Sequence, residues 1–377
     1  MIFTDPTQRS VFEMVYSTRL NKMLAGWTAA LMLVSQSAAQ MPELRRADPD
    51  HVPVFSISHI NGDAYRATVD NHGTVFLVTS EGIILADPIG PGMAEWLKGE
   101  FDRRFGVPVR YVVYSHYHWD HASGGDVFAD TAQFVGHANM LTHLAMPPES
   151  TRLSDVVGQY APFAALDANG NGLVEEGEVP EDIQRFYGSS QTQFPGFDAN
   201  GDGVLNGAEL VRGPVSFVRP PSITYTDEIE IRLGGKRVKL TWLGDMNHSM
   251  DSSLIEFPDD NVVMAVDYVS FGRLPNREMD FENGLFEEWM SAIAETEAVA
   301  RGYEFVATGH GPVGTWEDVR DWRAYLEKLR DQVAAGIAAG QTLEQMQQSI
   351  TMDDYSDWQG FDWVDENVLG MYHFLTD

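Results

Sequence analysis

An α/β layered fold is what this sequence predicts, and three observations carry that reading. Apolar runs of strand character alternate with amphipathic helical stretches over residues 53–146 and again over 222–335. The alternation breaks between 147 and 221, where Gly, Asn, Asp and Pro dominate. Histidines and aspartates of one chemical kind recur at the ends of the runs read as strands, or in the loops just after them.

The N-terminus reads as a leader. Arg19 and Lys22 precede the apolar run "MLAGWTAALMLV" (23–34), and "SQSAAQ" follows with Ser37 and Ala39 suited to a cleavage site. This is the layout of a signal peptide over 1–39, too short in its apolar part to span a membrane. The expectation is a periplasmic or secreted protein whose mature chain has no membrane span. The absence of cysteine fits an oxidising compartment and removes both thiolate nucleophiles and thiolate metal ligands. A net charge of −31 repels nucleic acid and anionic lipid, so the expected partner is a small molecule.

Residues 65–90 read as two strands around a turn at Asp70–Gly73, then a third apolar run ending at Asp87. A helix over 91–106 ends at Gly106, and "VRYVVYS" (109–115) is a buried strand. Residues 122–145 read as a helix, the short strand "QFVGH" and a second helix. Beyond the break, 228–244 is a strand hairpin, 261–269 a strand, 284–302 an amphipathic helix and 304–313 a strand running into a loop. Trp316, Val319, Trp322, Leu326, Leu329 and Val333 recur at helical spacing, which makes 315–339 a long helix with one face in the core. No Gly-rich phosphate loop, G-x-S-x-G elbow or S-x-x-K occurs, so serine-based hydrolysis has no motif.

The strand at 109–115 runs straight into "SHYHWDHASGG". In extended chain, residues two apart point the same way, so His116 and His118 can hold one cation, while Asp120 and His121 turn toward a second. Imidazole and carboxylate without thiolate suit zinc, with manganese or iron as alternatives. This H-x-H-x-D-H order resembles the signature of the metallo-β-lactamase superfamily. The rest of the chain supplies the family's other segments in order: Asp87 in "ILADP", His248 in "WLGDMNHSMDSS", Asp267 in "NVVMAVDYV" and His310 in "VATGHGP".

The resemblance implies an αββα four-layer sandwich with two metals at one edge. His116, His118 and His248 would hold one, and Asp120, His121 and His310 the other, with Asp267 touching both. It implies hydrolysis by a water shared between the cations, whose pKa falls far enough to give hydroxide at neutral pH. Asp120 is the expected catalytic carboxylate. Asp87 is open between a partner behind the ligands and a turn cap. His137 and His143 read as structural, and His51, His59, His72 and His373 stand in no context that singles them out.

The break holds two similar segments, "DANGNGLVEEGE" (167–178) and "DANGDGVLNGAE" (198–209). Each resembles the calcium loop of the EF-hand family. Asp167, Asn169, Asn171, Leu173 and Glu178 occupy the ligand positions of the first, and Asp198, Asn200, Asp202, Val204 and Glu209 those of the second. One or two calcium ions are expected, in a module inserted near the rim of the site. The expected organisation is a signal peptide (1–39), a first part of the metallohydrolase frame (40–146), the paired loops (147–221) and a second part with C-terminal helices (222–377). Small esters, lactones and β-lactams are the expected substrates. Two alternatives remain: a non-hydrolytic iron enzyme of the same fold, and a calcium-binding interaction protein with an inactive metal site.

Overall fold

The computed structural model describes residues 51–180, 193–277, 279 and 285–376. The expected signal peptide lies outside these, as does most of the stretch joining the two acidic loops.

Two mixed sheets form the centre. The first has seven strands in spatial order β1 (Phe55–Asn61), β2 (Ala64–Val69), β3 (His72–Thr79), β4 (Gly82–Ala86), β5 (Val109–Val113), β6 (Gln133–His137) and β9 (Ile223–Tyr225). β1 to β4 pair antiparallel, and β4, β5, β6 and β9 run parallel. Between β6 and β9, among the described residues, the inserted module contributes the two-residue strands β7 (Val174–Glu175) and β8 (Val204–Leu205). The second sheet has five strands, β10 (Glu228–Leu233), β11 (Lys236–Trp242), β12 (Ser253–Phe257), β13 (Val262–Ala265) and β14 (Phe305–Thr308), with β13 and β14 parallel.

Three apolar clusters explain the layering. One joins the facing sides of the sheets, with Val75, Leu77, Ile84 and Val113 of the first against Val238, Leu240, Ile255 and Met264 of the second. Another covers the outside of the first sheet with the helix Pro91–Arg104, through Met93, Leu97 and Phe101. The third covers the outside of the second sheet with Phe286–Ala300, Trp316–Ala338 and the C-terminal helix Val364–Thr376. Each sheet is thus apolar on both faces, as runs such as "VVMA" require. Among the described residues no helix is long and apolar enough to cross a membrane.

Two local readings are corrected. The turn placed at Asp70–Gly73 occupies only Asp70 and Asn71, with Asp70 in the left-handed region (φ 51°), and β3 already starts at His72. Asp tolerates that conformation and so closes a two-residue turn where a longer one was expected. The helix expected after residue 122 is instead the short turn Trp119–Ala122 followed by a 3₁₀ turn, Gly125–Phe128. Gly124 breaks them apart at φ 94°, packed so closely on Gly90 that a side chain would collide with its backbone.

The module over 147–221 has a small core of its own, including Phe163, Val174, Phe197, Leu205 and Leu210. Its exit returns to the main body beside the histidine motif. Phe217 accepts a hydrogen bond from Gly124 N (2.9 Å), Val218 bridges to Ser123, and Arg219 O accepts from Tyr114 Oη (2.8 Å).

Candidate metal centre

All seven expected ligands follow strand ends at one edge of the sandwich. His116 and His118 lie in the loop after β5, and Asp120 and His121 in the turn Trp119–Ala122. His248 sits between β11 and β12, Asp267 just past β13, and His310 just past β14. The structure gathers them into two groups whose ligand atoms lie within 4.8 Å of one another: His116, His118, His248 and Asp267, and Asp120, His121, Asp267 and His310. Asp267 belongs to both.

The distances show one continuous site. His116 Nε2 and His248 Nε2 are 3.2 Å apart, as are His121 Nε2 and His310 Nε2. Asp267 Oδ2 lies 2.9 Å from His121 Nε2 and 3.7 Å from both His116 and His248. Asp120 Oδ2 lies 3.7 Å from His121 and 3.6 Å from His310. Converging imidazole nitrogens around shared carboxylates suit a divalent cation, so the residues present fit a metal.

The two groups differ electrostatically. Burial and the neighbouring His248 imidazole push His118 down to about 3, and burial with His118 and His248 carries His116 well below its usual range. These imidazoles are neutral donors. Burial also opposes charge on His310, yet Asp267 and Asp120 outweigh it and raise it to about 10. His121 is raised by the same carboxylates against its burial. Burial pushes Asp120 and Asp267 upward, but the surrounding histidines hold both well below the carboxylate range. A cation held by the second group would compete with protons on His121 and His310, whereas the first group would offer the neutral His116 and His118 beside the Asp267 carboxylate.

Backbone geometry brings the groups together. Asp267 adopts φ 68°, a strained value for a non-glycine residue and one that over-determined functional sites tolerate. Gly309 must lack a side chain, because a Cβ there would collide with Asp267, Val266 and His121. Asp87 is fully buried, with burial raising it to about 6. Its Oδ1 accepts from Ser115 N (2.9 Å), and Ser115 Oγ lies 2.9 Å from His116 Nδ1. Asp87 thus stands behind His116 through Ser115.

Three residues that the sequence did not single out belong to the frame. His72 Nε2 lies 3.4 Å from Asp120 Oδ2. Asp251, buried and raised by burial to about 7, accepts from Ser249 Oγ within the loop that presents His248. Arg66 donates through Nη2 to Thr308 O and Gly311 O, 2.8 Å each, on either side of His310. None carries a local motif, and His72 and Arg66 matter only through loops distant in sequence. His137 caps the helix Ala138–Leu144 and stacks on Trp242 (4.7 Å), and His143 stacks on Tyr117 (4.1 Å).

The inserted loops share one internal pattern. Asp167 Oδ1 accepts from Gly170 N and Oδ2 from Gly172 N; Asp198 does the same with Gly201 and Gly203. Asn169 and Asn171, and Asn200 and Asp202 in the second loop, each accept from the backbone N–H two residues on. Glu178 Oε1 and Glu209 Oε1 reach back to Ala168 N and Ala199 N. Gly172 and Gly203 hold φ of 85° and 82°, which only glycine adopts freely. Leu173 directly precedes the antiparallel pairing of Val174 with Leu205 and Glu175 with Val204, in which Val204 itself takes part.

Fold and site together define an α/β protein with a His/Asp metal-binding cluster at the edge of two sheets. The metallo-β-lactamase superfamily model matches residues 71–310, and the chain belongs to that superfamily of metal-dependent hydrolases. No curated protein matches it. Among solved structures it is similar to a metallo-β-lactamase from Pontibacter korlensis (15% identity, TM-score 0.45, 71% of this chain and 96% of that one). It is also similar to the stereoselective inverting sec-alkylsulfatase Pisa1 from Pseudomonas sp. (15% identity, TM-score 0.55, 85% of this chain and 50% of that one). At these identities the likeness concerns the fold.

Proposed function

We propose that this protein is an exported, binuclear zinc hydrolase acting on a small ester, lactone or β-lactam, with a calcium-bound inserted module. The observation that carries the hydrolase reading is the pair of four-residue groups sharing Asp267. His116, His118 and His248 would hold one ion, Asp120, His121 and His310 the other, and Asp267 both. Such a pair supplies hydroxide at neutral pH and Lewis acidity toward a carbonyl or phosphoryl oxygen. The protein's own part is to hold and move protons. Asp120 Oδ2 faces His72, His121 and His310, which leaves Oδ1 to orient the attacking water and take its proton. His116 and His121 are buried, whereas His118, Asp120, His248 and His310 are partly exposed, so substrate would approach from the side of these four.

The complete ligand set speaks against an inactive metal site, and cation analysis separates the zinc reading from iron. Purified protein should hold about two zinc per chain. A panel of nitrocefin, acyl lactones, aryl esters, an alkyl sulfate and a bis-aryl phosphate then assigns the bond. Asp120→Asn should fold as the wild type and lose on the order of 10²-fold in kcat on the best substrate; full activity in that variant would remove Asp120 from the mechanism.

Calcium binding is supported by the matching loops and the strand pairing that sets them back to back. Export rests on the order of charged, apolar and small residues before Gln40. Protein recovered from its native host should begin near Gln40, and an intact Met1 there would count against it.

A further inference from the structure

We infer that His72 is a positioning residue for the Asp120 carboxylate, and that the β2–β3 hairpin is the cradle of the Asp120, His121 and His310 group. The inference rests on the metallohydrolase reading. His72 is the first residue of β3 and is 4% exposed. Its ring nitrogens belong to neither group of mutually close donors. Its Nε2 faces Asp120 Oδ2 at 3.4 Å, and its ring packs edge-on against the His310 ring, centroids 4.4 Å apart. One side chain therefore touches two members of the group at once.

The hairpin's backbone is locked to the same place. His72 forms an antiparallel bridge with His310, and Gly73 N donates to Gly309 O (2.8 Å). Arg66, on the neighbouring strand, donates to Thr308 O and Gly311 O, so the loop that presents His310 is held on both sides. Gly73 has no side chain because a Cβ would collide with the Arg66 guanidinium. These contacts leave His72 little freedom to move, and its ring limits the rotamers open to Asp120. A partner behind a ligand that fixes its orientation is worth about 10–100-fold in metal affinity or activity.

The test uses the full mature chain and zinc alone as the probe. Metal-free wild type, His72→Ala and His72→Gln are titrated calorimetrically, and kcat and KM are measured at saturating zinc. His72→Ala should keep the first equivalent of zinc, weaken the second about 10–100-fold, and lose kcat by a similar factor with KM nearly unchanged. His72→Gln, which retains an N–H donor, should recover most of both losses. In an Asp120→Asn background, His72→Ala should cost little more, because the two act through one contact.

Wild-type second-site affinity in a folded His72→Ala protein overturns the proposal. So do equal losses in the Ala and Gln variants, or additive losses with Asp120→Asn, since these mark packing alone. If His72→Ala does not fold, the comparison of His72→Gln with wild type and the cycle with Asp120→Asn decide the matter. A weakened second zinc in a protein that hydrolyses nothing supports the positioning role and counts against the hydrolase reading alone.

Discussion

The ligand cluster at the sandwich edge and the inserted pair of loops use similar side chains in opposite ways. The cluster is assembled from four strand ends, is largely buried, and contains groups whose protonation is moved far from its usual range. Each loop is contiguous in sequence, with its Gly-rich turn exposed, and it satisfies its own acids with its own backbone N–H groups. A buried, shared carboxylate cannot be removed without leaving its partners unbalanced. An exposed loop held by local bonds can loosen by itself. The difference teaches that a change at the cluster should be felt first in chemistry, and a change at the loops first in local stability.

The largest effect should come from Asp267→Ala. Because Asp267 lies within reach of both groups, affinity for both ions should fall together and turnover should drop by about 10²–10³-fold or more. A metal titration that leaves either site at wild-type affinity would break the idea of a shared ligand.

Removing calcium should act in the opposite manner. On the proposed calcium reading, with sites near 10⁻⁴ M, 1 mM calcium would stabilise the folded chain by about 1.4 kcal/mol per site. A calcium-selective chelator should lower the melting temperature and open 147–221 to protease while zinc remains bound. A large reversible change in turnover, with melting and cleavage unaltered, would make the module a regulator and erase the contrast drawn above.

The smallest effect concerns Asp251, buried in the loop that presents His248. Its folded-state value, about 7, lies above the ordinary 3.8. Between those values the folded chain keeps a proton that the unfolded chain has released, so stability falls as pH rises through that window. Asp251→Asn should flatten this slope by on the order of 1–2 kcal/mol between pH 5 and 8, read from denaturant melts at each pH with metals constant. An unchanged slope would mean that Asp251 does not keep its proton in the folded chain across this window.

Short-range patterns were legible and long-range contacts were not. The H-x-H-x-D-H run stands out because three histidines fall within six positions, and the two twelve-residue loops because a repeated pattern of Asp, Asn, Gly and Glu is rarely accidental. The long helix was visible in its apolar spacing: Val319, Trp322, Leu326, Leu329 and Val333 are all buried in Trp316–Ala338. Asp70–Gly73 was misjudged because a left-handed aspartate can close a turn two residues shorter, and that placed His72 in a loop when it begins a strand.

By itself, then, the sequence determined the α/β alternation, the chemical kind of the ligands and the self-contained loops, since each is written in neighbouring residues and their period. Only the tertiary structure decided that His72 stands behind Asp120, that Arg66 holds the His310 loop, and that the module's exit docks on Ser123 and Gly124. These relations join strand ends far apart in the chain. They arise from how two twisted sheets pack face to face, and no local propensity or spacing encodes that packing.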